Sequence, residues 1–229
     1  MNNLFSILIS DEDISSLTLP NTLESFSKYF PEIPHVIWDD SSIKSFLKKN
    51  FDKDVLDAYN VLNAYAYKAD LASYCILSKM GGWYSAITNE IVSTPPVLKD
   101  KDMIIFRDIQ KNSRTSWAVA CQLIYSKPNN PVFDVAINMI LDNVHNKFYG
   151  ATPLCVTGPS VFGRAVAQVG DIDRYSIGDF IDGEDKFFVL EDDQKLANYK
   201  KLNSGEIGIL GTNNYNDLWY DKNVYKEKE

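Results

Sequence analysis

The chain has 229 residues, a length that fits one domain of ordinary to large size. Apolar residues make up 45% and charged residues 24%. That is a globular balance, and it excludes a disordered tail, a collagen-like repeat and a disulfide miniprotein. The formal net charge of −8 repels phosphate backbones and disfavours a general nucleic-acid binder, yet leaves room for one small anionic ligand held by local N–H groups.

The first residues carry no basic segment followed by a long apolar run. No stretch approaches the roughly 18 apolar residues needed to span a bilayer, so neither a signal peptide nor a transmembrane segment is expected. Cys75, Cys121 and Cys155 sit in apolar contexts without metal spacing and read as reduced, buried thiols of a cytoplasmic protein.

In chain order, residues 4–10 (LFSILIS) read as a buried strand, ended by Asp11-Glu12-Asp13. Residues 21–30 place Leu23, Phe26 and Phe30 at helical spacing, and Pro31 stops them. Residues 35–38 (HVIW) are a second strand, followed by the capping residues Asp39 to Ser42 and a helix over 43–50. Residues 52–60 are helical. Residues 62–80 form the longest helical pattern, closed by Gly81-Gly82, and 83–87 (WYSAI) return as a strand. Strand, helix, strand, helix, strand predicts an α/β domain with a mostly parallel central sheet flanked by helices. Further strands are expected over 103–107, 187–190 and 207–210, and helices over 131–143 and 159–169. Residues 118–125 suit either state, and 215–225 form an aromatic closing segment.

The informative block is KADLASYCILSKM (68–80), then GGWYSAIT (81–88). It joins a helix bearing an acid near its start to a glycine turn and a strand. Ligands of open α/β sheets meet the carboxyl ends of strands, so a ligand is expected just beyond Tyr84.

This block resembles the A-D-x-x-R-Y-x-x-L-x-x-x-G-G-x-Y-x-D-x-D signature of family 32 glycosyltransferases. That family includes bacterial capsule and lipopolysaccharide sugar transferases. The likeness extends to IPHVIWDD (33–40), to SKPNNP (126–131) followed by TGP (157–159), and to GTNNY (211–215) with Trp219. It implies a GT-A-like nucleotide-sugar domain, residues 1–100 forming the donor-binding half and 101–229 the acceptor side and closing segment. It also implies a Mn²⁺ or Mg²⁺ ion bridging the donor diphosphate. The two acids that hold this metal in the family fall on Ala86 and Thr88, and the family arginine falls on Ser73. A hard cation wants anionic oxygen, so metal is expected to bind weakly here, with Thr88 and Asn213 as weak candidate ligands. Ala86 fits an engineered Asp→Ala change, a natural variant or a degenerate homologue.

The resemblance gives the donor-binding candidates as Ile9, Ser10, Trp38, Asp70, Tyr74, Tyr84, Ser85, Asn213, Asn214 and Trp219. No residue is singled out as a nucleophile; Asp108 and Asp134 are candidates in name only. The implied activity is retaining transfer of a hexose from a nucleotide sugar, UDP-linked rather than GDP-mannose, to a surface-polysaccharide or lipopolysaccharide precursor. The implied acceptor is a glycan or lipid-linked saccharide, and work at the inner membrane face follows from it. The alternative is a non-catalytic homologue that binds a sugar nucleotide or a glycan.

Overall fold

A computed structural model describes residues 3–96, 100–201 and 213–227. Its strands are β1 (Leu4–Ile7), β2 (His35–Trp38), β3 (Gly82–Ser85), β4 (Asn89–Ile91), β5 (Met103–Arg107), β6 (Leu123–Ser126), β7 (Tyr175–Asp182), β8 (Lys186–Val189) and β9 (Lys195–Tyr199). They form one sheet in the order β2-β1-β3-β6-β5-β7-β8-β9-β4. The helices are α1 (Glu24–Tyr29), α2 (Asp40–Asn50), α3 (Lys53–Val61), α4 (Tyr65–Met80), α5 (Gln110–Ser113), α6 (Pro131–His145), α7 (Pro159–Val169) and α8 (Tyr215–Tyr220).

The α/β expectation holds, but the sheet is mixed rather than mostly parallel. β1 runs parallel to β2 and β3, and β5 parallel to β7. The remaining pairs are antiparallel. The physical reason is connection length. Helices α1 to α4 supply the crossovers that parallel strands require, whereas β7, β8 and β9 are joined by short turns that permit only antiparallel neighbours. The expected strand over 207–210 lies outside the described residues.

Alternation along the central strands divides two cores. Phe5, Tyr84, Ile105 and Ile124 face one side, with α4, α6 and α7, whose Tyr74, Phe133 and Phe162 rings stack. Leu4, Trp83, Ile104, Phe106, Leu123 and Tyr125 face the other, against Phe26, Phe30, Phe180 and Phe188. Helix α4 is buried from Leu71 to Ser78, the burial of a central helix rather than of an amphipathic surface one.

Caps fix where the helices begin. The Asp39 carboxylate accepts from Ser42 N–H (2.8 Å), and Ser42 Oγ accepts from Asp39 N–H (3.0 Å), a reciprocal box that starts α2. Asn130 Oδ1 accepts from Val132 N–H (3.1 Å), with Pro131 in the first turn of α6. At the end of α4, Gly81 and Gly82 take φ +61° and +96°. A side chain at Gly82 would meet the Asn3 carbonyl oxygen at 2.2 Å, so this glycine lets β3 enter the sheet against β1.

Candidate functional site

The strand directions bring one set of termini to one edge of the sheet. β1, β3, β5 and β7 all end there, and antiparallel β6 and β8 begin there. Residues just past or just before those strands therefore line up along the edge: Leu8 and Ile9, Ala86, Gln122, Asp108 and Lys186. This is the edge at which ligands of open α/β sheets are met.

Two cavities lie along it. The smaller, about 250 Å³, is bounded by Ile9, Tyr65, Asp70, Tyr84, Ala86 and Gln122, among others. The larger, about 560 Å³, is bounded by Asp108, Gln122, Thr152, Tyr199, Tyr215 and Trp219, among others. Gln122 is common to both.

Asp70 is placed one turn into α4. Its Oδ2 accepts from Thr157 Oγ1 at 2.8 Å, tying the helix to the segment before α7. Burial pushes its carboxyl up to about 6, with the bonds from Thr157 and Cys121 pulling the other way. Asp70 is thus an acceptor at the cavity wall suited to a hydroxyl donor, and it takes up protons near neutrality. Burial also raises the Tyr84 and Cys121 hydroxyl and thiol well above their ordinary ranges, so both stay protonated beside it.

The donor-binding candidates Asp70, Tyr84, Ser85 and Trp219 do not surround one void. Asp70 and Tyr84 share the smaller cavity, Trp219 lines the larger, and Ser85 lines neither. Ser85 is buried within the strand and its hydroxyl faces Asn89 (3.2 Å). Tyr74 is 0% exposed; its hydroxyl donates to the Thr157 carbonyl (3.3 Å) and its ring stacks on Phe162, so it is a core residue and not a ligand contact. Trp38 is packed edge-on against Phe46 at the end of β2, and neither cavity includes it. Ser10 hydrogen-bonds Glu12 in the turn after β1.

The two asparagines also have structural partners. Asn213 Oδ1 accepts from Tyr65 N–H at 2.5 Å and its Nδ2 donates to the Asn63 carbonyl (3.3 Å), which caps α4 from a distant part of the chain. Asn214 caps α8 by accepting from Asn216 N–H (2.9 Å). Residues 211 and 212 of the closing motif lie outside the described residues. Trp219 donates from Nε1 to the Tyr149 carbonyl (2.8 Å), which fixes its ring at the cavity rim.

Among the described residues, the positions expected to hold a divalent metal do not fit one. Ala86 has no ligand atom. Thr88 contributes its carbonyl to the Lys200 N–H (2.7 Å) and borders neither cavity, and Asn213 is engaged at α4. Among the described residues there is no group of three His, Cys, Asp or Glu side chains that could hold an ion. Ser73, at the family arginine position, is buried and donates to the Asp70 carbonyl (2.8 Å), away from either cavity.

Two residues of this edge were not singled out as binding residues from sequence: Asp108, named only as a nominal nucleophile, and Gln122. Asp108 is 7% exposed, borders the larger cavity, and its Oδ2 is buried without a partner among the described residues. Gln122 separates the cavities, and its Oε1 is likewise buried without a partner. The only available signal was their position at strand ends, which needs the topology.

Parts of the chain are similar to known glycosyltransferases. Residues 18–111 match a glycosyltransferase family. Its description is "Glycosyltransferase sugar-binding region containing DXD motif". A stretch of 105 residues is 34% identical to "Uncharacterized glycosyltransferase L373" of Acanthamoeba polyphaga mimivirus, covering 45% of this chain and 41% of that protein. The chain therefore spans about two fifths of the length of that relative. In three dimensions it resembles "PaToxG Glycosyltransferase" with a TM-score of 0.57 at 19% identity, over 75% of this chain and 70% of the other. At that identity the likeness speaks for the fold, which is GT-A-like. The matched region carries β1's neighbours, α4, the glycine turn, β3 and β5, and so includes Asp70, Ala86 and Asp108. None of the described helices is long and apolar enough to cross a membrane.

Proposed function

We propose that the chain is a retaining hexosyltransferase that takes a UDP-linked sugar as donor and a saccharide hydroxyl of a surface-polysaccharide or lipopolysaccharide precursor as acceptor. The observation that carries this reading is the smaller cavity at the carboxyl edge, with Asp70 in its wall, inside the segment that matches a glycosyltransferase sugar-binding region. In this reading the backbone beyond β1, at Leu8 and Ile9, faces the nucleotide, and Asp70 accepts hydrogen bonds from ribose or sugar hydroxyls. The larger cavity serves the acceptor side. Holding donor and acceptor side by side lowers the entropic part of the barrier. A lipid-linked acceptor would set the work at the cytoplasmic face of a membrane.

In related domains a divalent metal offsets charge on the leaving diphosphate. The described residues do not provide its site, and turnover of this sequence is accordingly expected to be slow. That same observation favours a second reading, a sugar-nucleotide or glycan-binding protein without transfer activity.

The test is a panel of UDP- and GDP-sugars assayed for binding, hydrolysis and transfer, with and without Mn²⁺. Saturable binding of a UDP-sugar that Asp70→Asn weakens supports the proposal. Binding with no release of UDP under any condition selects the second reading, and no binding of any nucleotide sugar overturns the transferase reading and leaves only glycan binding.

A further inference from the structure

Two hydrogen-bond acceptors that border the larger cavity are left without a donor among the described residues. Asp108 Oδ2 and Gln122 Oε1 are both buried and unpartnered among the described residues, and both residues border the same space. A buried acceptor without a donor is destabilising, and a carboxylate oxygen more so than an amide. Burial raises the Asp108 carboxyl to about 6, while Lys186 and the Ile109 backbone pull it down. It is therefore largely ionised at neutral pH, in a wall lined by the rings of Tyr199, Tyr215 and Trp219. A ligand that fits must bring hydroxyl donors to the polar floor and apolar ring faces to the aromatic walls. Simple cations fit poorly, because Lys111, Arg114 and Lys186 border the same cavity and oppose positive charge.

We propose that this cavity is a saccharide subsite in which Asp108 Oδ2 accepts a hydrogen bond from a sugar hydroxyl. Resting on the transferase reading above, the sugar held there is the acceptor. Asp108 follows β5 as Ala86 follows β3, and only β6 lies between those strands. Two strand spacings are about 10 Å, a span comparable with two linked pyranose rings. Gln122, at the start of β6, stands at the boundary between them. Asp108 is thus a recognition residue, and the proposal requires no bond to be made or broken by it.

The experiment uses the whole chain and two separate probes. UDP binding is measured by calorimetry. Binding of the methyl glycosides of glucose, galactose, mannose and N-acetylglucosamine is measured by saturation-transfer NMR. At least one glycoside is expected to bind. Asp108→Asn, which keeps the shape and removes the charge, is expected to weaken it about tenfold or more while leaving UDP affinity unchanged. Tyr220→Ala removes a ring at the cavity rim that is 71% exposed, and is expected to weaken glycosides in the same direction without endangering the fold. Binding of no glycoside, glycoside binding by Asp108→Asn equal to that of the unaltered chain, or loss of UDP affinity in Asp108→Asn would each overturn the proposal. If glycosides bind through Asp108 but UDP never binds, the subsite stands and the transferase reading falls.

Discussion

Asp70 shows how far single residues can be read from sequence and where geometry is needed. An acid near the start of a helix before a glycine turn already pointed to a wall of the site. Its bond to Thr157, 87 residues away, could not be seen without the fold. Because that bond favours the charged carboxylate, Thr157→Val is expected to move the Asp70 carboxyl further above about 6. Carbon-13 NMR titration of the carboxyl checks this; an unchanged or lower value would disprove it. Tyr74 is the opposite case. Its identity matched the family signature, but a ring in the middle of a central helix packs on Phe133 and Phe162, and nothing in the local pattern distinguishes the core side from the cavity side. At position 86 the chemistry is legible from composition alone, since a methyl group offers no metal ligand. Ala86→Asp would place a carboxylate at the edge of the smaller cavity, and is expected to tighten Mn²⁺-dependent UDP binding at least tenfold, as read by calorimetry with and without chelator. Equal affinity in the two chains would show that position 86 does not hold metal here.

At the scale of elements, the long helices α2, α4, α6 and α7 and strands β1, β2 and β3 were legible because each carries a strong signal, such as the capping residues from Asp39, proline in the first turns of α6 and α7, and the glycine stop after α4. Strand β7 was not. Its sequence YSIGDFID mixes acids with a central glycine, which weakens a strand reading. The structure gives the reason for that glycine, since a Cβ at Gly178 would lie 2.1 Å from the Val189 carbonyl oxygen of β8. β4 and β9 are short, and their pairing joins residues about a hundred positions apart, so no local window reports it. The turn before β3 is the element most sensitive to change. Gly82→Ala would force an L residue to φ +96° and drive its Cβ into the Asn3 carbonyl. A loss of about 3 kcal/mol or more in unfolding free energy is expected, measured by urea denaturation. A loss below about 1 kcal/mol would mean that β1 and β3 can separate at little cost.

For the molecule as a whole, three partly or fully buried titrating groups set opposing pH dependences. His35 stacks on Phe26 at 4.4 Å with its Nε2 2.9 Å from Ser6 Oγ, and burial lowers it from 6.5 to about 4. Between those two values the unfolded chain takes up a proton that the folded chain refuses, so this group removes stability as pH falls. Asp70 and Asp108 act in the other direction. Each is raised from 3.8 to about 6, so between about 6 and 3.8 the folded chain holds protons that the unfolded chain releases, and stability rises as pH falls. From pH 7 to 5 each carboxyl contributes a gain of roughly 1 kcal/mol and the histidine a loss of roughly 2 kcal/mol, so the contributions nearly cancel. Asp39, Asp40, Asp13, Asp182 and Glu90 are all lowered from their ordinary values, so what they contribute is lost only on further acidification. The unaltered chain should therefore show a nearly flat stability between pH 7 and 5. His35→Gln should gain about 2 kcal/mol over that interval, and Asp70→Asn should instead lose stability as the pH falls. Both slopes are read from urea unfolding at several pH values, and they are independent of any constant loss that the substitutions cause. A His35→Gln chain with the same flat profile as the unaltered one would show that the buried imidazole and the carboxyls at the sheet edge do not titrate in the opposed senses their surroundings dictate.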